Sequence, residues 1–341
     1  MKSILQRFNS KIEAIAEHNQ VPALSCAVQY KNEIIYAKAF GKYGGFNSNP
    51  VLPETSLFRI ASIAKSITGL ALGRMIDKKM LSLEDSIFEY LPHYPKNNFD
   101  INIKHLATHT SGIRSYKGKE LFSNKSYSIE EGLGLFKNDP LLFVPGADYY
   151  YSSYNYVLLS AVMQIAAKES FGSFVQREVL DALQMSQTFE DGTRNTLSKE
   201  MKKRTVKMYS KTKNGYKRAS RVNNTYKIAA GGYLSTVNDI LKLGQAALDR
   251  SILEPSTWDE VLTQQFVMAQ PTYYGLGWQC NQELDEMGYI GHIGQGVGAY
   301  TNLFVYPDAE LVVALMINAS VPNLQTALDN AYNVLRKEIP Q

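Results

Sequence analysis

Ser62 and Lys65 stand three residues apart in the run Phe58-Arg59-Ile60-Ala61-Ser62-Ile63-Ala64-Lys65, at what reads as the start of a helix. Residues three apart share one helix face, so the amine can reach the hydroxyl. A serine hydroxyl is a poor nucleophile at neutral pH until a base takes its proton. The pair therefore offers a nucleophile and part of its activation within one turn. Short motifs recur by chance, about two of this form in a chain of this size. The second copy, Ser210-x-x-Lys213, lies beside Asn214-Gly215 and reads as a polar hairpin. His292 sits in an apolar run with Gly291, Gly294, Gly296 and Gly298 around it, glycines that permit close backbone approach to a ligand. His105 and His109 are four apart, a spacing that can serve a metal on a helix. No acidic residue lies between them and the segment is apolar, so no metal is expected.

The elements that must position these residues belong to a chain of 341 residues with 45% hydrophobic content, enough for one large domain or two lobes with a substantial core. A charged fraction of 20% argues against disorder. A formal net charge of +4 is too small to imply nucleic acid. Its basic surplus, between Lys199 and Arg221, reads as an exposed hairpin with a lysine-rich face. Two cysteines, Cys26 and Cys280, exclude a disulfide scaffold and are expected to be buried thiols. No apolar run is long enough for a transmembrane helix. The N-terminus lacks a secretory leader pattern, which predicts a cytoplasmic protein as written, or an exported one if a leader has been removed.

Ile4 to Glu17 reads as an amphipathic helix with Ile4, Phe8, Ile12 and Ile15 on one stripe. Strand-like runs at 23–30 and 33–40 flank Lys31-Asn32, short enough for a hairpin, and a loop from Gly41 to Pro53 follows. Ser62 then opens a helix to about Lys78 with Ile63, Ile67, Leu70 and Ala71 on its apolar face. Residues 81–201 read as mostly helical, 206–222 as a hairpin turning at Asn214-Gly215, 229–236 as small and flexible, and 237–248 as helix. Strand candidates at 274–280, 289–292, 300–306 and 311–318 precede a closing helix over 324–337. Two early strands and several late ones suggest one sheet completed from both chain ends. The expected organisation is an α+β fold: a sheet domain from 1–78 and 225–341, a mostly helical domain from 79–224, and an active site in the cleft between them.

Five blocks in this order resemble the serine β-lactamase and penicillin-binding-protein-like superfamily, in the branch of class C β-lactamases, D-alanyl-D-alanine carboxypeptidases and related esterases. They are Pro53-Glu54-Thr55-x-x-Phe58 through Lys65, Leu106-Ala107-Thr108-His109-Thr110-Ser111-Gly112-Ile113, Pro145-Gly146 with Tyr151-Ser152-Ser153-x-x-Tyr156, Ala230-Gly231-Gly232-Tyr233-Leu234-Ser235-Thr236, and Gly291-His292-Ile293-Gly294. The resemblance covers nearly the whole chain. It implies an antiparallel sheet flanked by helices with an inserted helical lobe, and an acyl-serine mechanism without a cofactor. Ser62 would be the nucleophile, with Lys65 and Tyr151 sharing the proton transfers. The backbone N–H groups of Ser62 and Gln295, beside Gly294, would meet the oxyanion.

Two departures shape the expected substrate. Ser153 stands where many members carry asparagine, and offers one O–H in place of two N–H groups. His292 replaces the lysine of a Lys-Thr-Gly triplet and is mostly neutral at pH 7. Both favour small esters or D-amino-acid peptides over efficient β-lactam hydrolysis. The partner implied is a small-molecule or peptide substrate, with the oligomeric state left open. The alternative is a catalytically weak binding protein for cell-wall peptide or lipid on the same scaffold. No G-x-S-x-G, H-E-x-x-H or P-loop pattern supports an unrelated hydrolase.

Overall fold

A computed structural model describes residues 1–18, 21–44, 48–96, 99–192, 197–281, 288–320 and 324–339. Helix α1 (Lys2–His18) turns Ile4, Phe8, Ile12 and Ile15 inward, as a 3.6-residue period requires. Strands β1 (Ala23–Tyr30) and β2 (Glu33–Gly41) pair around Lys31-Asn32. Both turn residues have positive φ, the conformation that matches the twist of a tight hairpin. Of the loop expected at 41–53, residues 45–47 lie outside the described set. Helix α2 (Ile63–Asp77) follows, then short helices and connecting loops lead to α3 (Ser153–Ala167) and α4 (Val237–Asp249). The last third supplies β3 (Gln279–Cys280), β4 (Ile290–Gly296), β5 (Ala299–Tyr306), β6 (Leu311–Ile317) and α5 (Gln325–Glu338).

These strands form one six-stranded antiparallel sheet in the order β3-β4-β5-β6-β1-β2. The two chain ends meet where β1 pairs with β6, from Leu24 opposite Ile317 to Tyr30 opposite Leu311. The fold is α+β. Side chains alternate across a strand, and here both faces are covered. Leu24, Cys26 and Val28 join Phe304, Val313 and Leu315 beneath α1 and α5. Ala23 and Ala27 join Leu303, Val312, Ala314 and Met316 in the cluster that includes α2 and α4. Burial on both faces explains why β6 reads as an unbroken apolar run. Cys26 and Cys280 are buried free thiols. No helix among the described residues is long and apolar enough to cross a membrane.

Several elements depart from the sequence reading. Helix α2 is buried almost all round, including Lys65, Ser66 and Thr68, because it packs against helices as well as β4. The segment 229–236 is ordered: a helical turn (Ile228–Gly231) leads into a strand (Tyr233–Ser235) that pairs with Phe58–Arg59 on one side and Phe189–Glu190 on the other. Its small residues serve packing, since a Cβ at Gly232 would lie 2.5 Å from Ile228 Cα. In 274–280 only Gln279–Cys280 joins the main sheet. Gly277 bends there at φ +82°, where a Cβ would fall 2.2 Å from the Lys65 carbonyl oxygen. The late hairpin pairs Tyr209–Thr212 with Gly215–Arg218, so the turn is Lys213-Asn214, one residue earlier than read.

Candidate active site

The strand Tyr233–Ser235 holds Phe58–Arg59 in register, and Ile60 N–H donates to Tyr233 O at 3.1 Å. The next residue, Ala61, has φ +47°. A non-glycine residue in that region is uncommon and strained. Thr301 Oγ1 donates to Ile60 O at 2.9 Å and helps fix the bend. Gly231 and Gly296 flank the bend, and Cβ atoms built on them would reach ordinary van der Waals contact with Ala61, 3.5 Å away. The chain leaves this bend at Ser62, the N-cap of α2. N-cap serines usually accept from the first-turn N–H groups, but the Ser62 side chain makes no capping hydrogen bond. Its hydroxyl is left for other partners.

Lys65 supplies one of them. Its Nζ lies 3.3 Å from Ser62 Oγ, 3.3 Å from Ser153 Oγ, and donates to Ala230 O at 2.7 Å. The residue is fully buried, and burial pushes the amine down to about 7. A neutral amine keeps two N–H groups and gains a lone pair. With the carbonyl of Ala230 held by an N–H, the lone pair can face the Ser62 hydroxyl. Tyr151 lies beside the pair, with the Lys65 amine 5.0 Å from its ring centroid. Burial raises the Tyr151 phenol above its ordinary value, opposed by a hydrogen-bonding interaction with Ser62. Burial thus favours the uncharged form of both groups.

His292 stands behind Tyr151, their ring centroids 6.1 Å apart. Its Nδ1 lies 2.7 Å from Ile293 O and its Nε2 2.9 Å from Tyr274 Oη. The carbonyl can only accept, so Nδ1 carries the hydrogen and Nε2 accepts from the tyrosine. Burial, with the charge of Lys65, pushes this imidazole down to about 3. It is neutral, and both nitrogens are engaged within the protein. Gly294, on the same strand, is forced to be small: a Cβ would lie 2.8 Å from Ile60 O and 3.1 Å from Ser62 N. Gln295 follows, exposed on the cavity wall.

That cavity, partly open to solvent, is lined by Ser62, Ser153 and Gln295 together with Ala61, Tyr116 and Lys227. Lys65, Tyr151 and His292 stand behind this wall. The structure therefore gathers Ser62, Lys65, Tyr151 and Ser153 tightly, brings Gly294 and Gln295 alongside, and sets His292 one layer deeper.

Sequence reasoning gave no role to several supporting residues. Ala61 carries the strained bend. Tyr116 lines the cavity beside Ser153. His109, whose φ is +63°, packs its ring 4.3 Å from that of Tyr151. Its Nδ1 meets Ser152 N at 3.3 Å and Asn155 Nδ2 at 3.1 Å. Asn155 is oriented in turn by the Ser111 hydroxyl, which donates to Oδ1 at 2.5 Å. His109 and Ser111 belong to a block already singled out, so their burial near Tyr151 had a signal; Tyr116 and Lys227 had none. His105 lies on the turn Ile103–Ala107 and takes the Asn102 N–H on Nδ1. Among the described residues no group of three metal-ligating side chains occurs.

The family model described as Beta-lactamase matches residues 8–337 of the chain. The serine beta-lactamase-like protein LACTB, mitochondrial, of Homo sapiens is 24% identical over 403 residues, an alignment spanning 90% of this chain and 71% of that protein. The octameric penicillin-binding protein homologue from Pyrococcus abyssi superposes with a TM-score of 0.82 at 21% identity, over 98% of this chain and 79% of the other. The D-amino acid amidase from Ochrobactrum anthropi SV3, complexed with L-phenylalanine, gives 0.83 at 19% identity, over 96% and 99%. At these identities the two structures share the fold with this chain.

Proposed function

The chain belongs to the Beta-lactamase family, and from the geometry around Ser62 we propose that it is a serine hydrolase working through an acyl-enzyme. Ser62 Oγ attacks a carbonyl carbon while neutral Lys65 takes the hydroxyl proton. The tetrahedral oxyanion is met by the backbone N–H groups of Ser62 and Gln295. Collapse breaks the bond to the leaving group, which receives a proton through Tyr151, whose ring centroid lies 5.0 Å from the Lys65 amine. Water then attacks the acyl-serine with the same groups acting in reverse. The observation that carries this reading is Lys65: a buried amine 3.3 Å from the serine hydroxyl, with hydroxyl and carbonyl partners, pushed to about 7. A lysine held near its usual value would be a poor base at neutral pH.

Substrates are esters and D-amino-acid peptides or amides, with β-lactams turned over less well. Ser153 presents one hydroxyl to the substrate, and His292 contributes no charge. The fold shared with a D-amino acid amidase is consistent with that range. Incubation with a reporter penicillin and, separately, a fluorophosphonate tests the reading by mass spectrometry. A stable adduct on Ser62, missing in Ser62→Ala, is expected. Failure of both probes to label Ser62 would overturn the hydrolase in favour of a binding protein on the same scaffold. Turnover of a chromogenic cephalosporin as fast as the best ester would overturn the substrate order.

A further inference from the structure

Lys227 precedes the helical turn Ile228–Gly231 and lines the same cavity as Ser62 and Ser153. It is 5% exposed. Its Nζ donates to Leu121 O at 3.2 Å and lies 5.4 and 5.5 Å from the ring centroids of Tyr116 and Tyr226. An ammonium has three N–H donors, and that carbonyl accounts for one. Arg59 lines the cavity too, with Nε on Asp191 at 2.6 Å and Nη1 on Val297 O at 2.9 Å. Asp191 also accepts from Asn224 Nδ2 at 2.5 Å, so its charge is already engaged. Among the described residues that line the cavity there are two cations and no carboxylate.

A desolvated cation without an ionic partner is costly. Burial and the charge of Arg59, only partly offset by that of Asp191, push Lys227 down to about 8, which leaves it mainly protonated at pH 7. A compact anion entering the cavity would supply the missing partner. His292 cannot take that part, being neutral with both nitrogens engaged.

We propose that Lys227, backed by Arg59, forms an anion-binding subsite that selects substrates with a carboxylate on the acyl portion. The inference rests on the acyl-serine reading above. Tyr151, which must meet the leaving group, is not part of this wall, so the cavity receives the acyl chain. The preferred substrates are then half-esters or half-amides of dicarboxylic acids, or acidic acyl-amino acids, in which the free carboxylate pairs with the ammonium.

Two p-nitrophenyl esters with one leaving group test this: the monoester of adipic acid and its neutral counterpart, the p-nitrophenyl ester of monomethyl adipate. The wild-type protein should favour the anionic ester by about tenfold or more in kcat/KM, the size expected for one desolvated charge pair. Lys227→Met should collapse that ratio towards unity, and Lys227→Arg should keep most of it. Ser62-dependent hydrolysis of the neutral ester without a preference for the anion, or a preference that survives Lys227→Met, overturns the subsite and leaves the hydrolase reading standing. Lys227→Gln serves as a second neutral variant. Equal loss of both esters in both variants assigns Lys227 a structural role and also overturns the proposal. If neither ester is cleaved by the wild-type protein, the hydrolase reading fails, and calorimetric titration with adipate decides the subsite separately. Saturable binding lost in Lys227→Met supports it; binding equal in the two proteins, or none in the wild type, does not.

Discussion

Two buried cations in this molecule meet opposite fates. Arg114 is 6% exposed and Lys65 is fully buried. Arg114 bonds to Asp139 through Nε and to both carboxylate oxygens of Glu120, at 2.7 and 3.1 Å, with the carbonyls of Ser115 and Leu135 taking its other N–H groups. Burial opposes its charge, yet the two carboxylates hold it above its usual value. Lys65 has two hydroxyls and a carbonyl in the same roles, and burial wins. Burial by itself does not decide protonation. The group's intrinsic basicity and the charges within reach share that decision: a guanidinium starts far more basic than an amine and here also has two carboxylates. One region of the molecule uses a cation to brace the loop around 114–139 under Tyr154, whose hydroxyl also donates to Glu120 at 2.9 Å. The other creates a neutral amine where a proton can be taken.

Methionine in place of each cation separates these roles most sharply. Lys65→Met should lower ester turnover by about 10² or more while leaving the protein at least as stable as the parent, because burial disfavours the charged amine and so opposes folding at neutral pH. Arg114→Met should reverse that pattern. Stability should fall by about 2 kcal/mol, less than for a fully buried pair because Glu120 and Asp139 retain some access to water. Urea denaturation of both variants, beside steady-state rates, checks the pair; a destabilised Lys65→Met or an unaffected Arg114→Met would break the contrast.

Giving Lys65 the carboxylate it lacks should convert it to the other kind. The active form of Lys65 is the neutral one, so kcat/KM for a neutral ester should rise with pH through about 7 in the parent. Ser153→Asp places an anion where a hydroxyl now lies 3.3 Å from the amine. An adjacent opposite charge raises a lysine pKa. The rising limb should therefore move to higher pH, with roughly tenfold less activity at pH 7. An unmoved limb would mean that another group sets it.

The smallest effect is expected at His292. Its imidazole titrates near 3, far below that limb. His292→Gln should leave the limb in place and change kcat/KM only a few-fold. A shift of more than about half a pH unit would show that the histidine is coupled to the proton transfers after all.

Much of the scaffold was legible because local pattern specifies it. The ends of β1, the stripe on α1 and the span of α2 follow from periods that each element must satisfy to bury one face. The 229–236 segment was misread, since a run of small residues looks flexible until the strand at 58–59 and Ala61 are seen packed against it. Likewise the apolar face assigned to α2 was too narrow, because a helix covered on several sides has no solvent face to reveal.

The chain's own order of residues determined that Ser62 and Lys65 share a turn, since helical spacing is a local property. Tertiary packing alone decided that Ala61 adopts a positive φ, that the Lys65 amine meets the carbonyl of a residue 165 positions away, and that among the described residues burial, not a carboxylate, governs its charge. A side chain's charge state is set by desolvation and by neighbours brought from distant parts of the chain, and neither is written in the residues beside it.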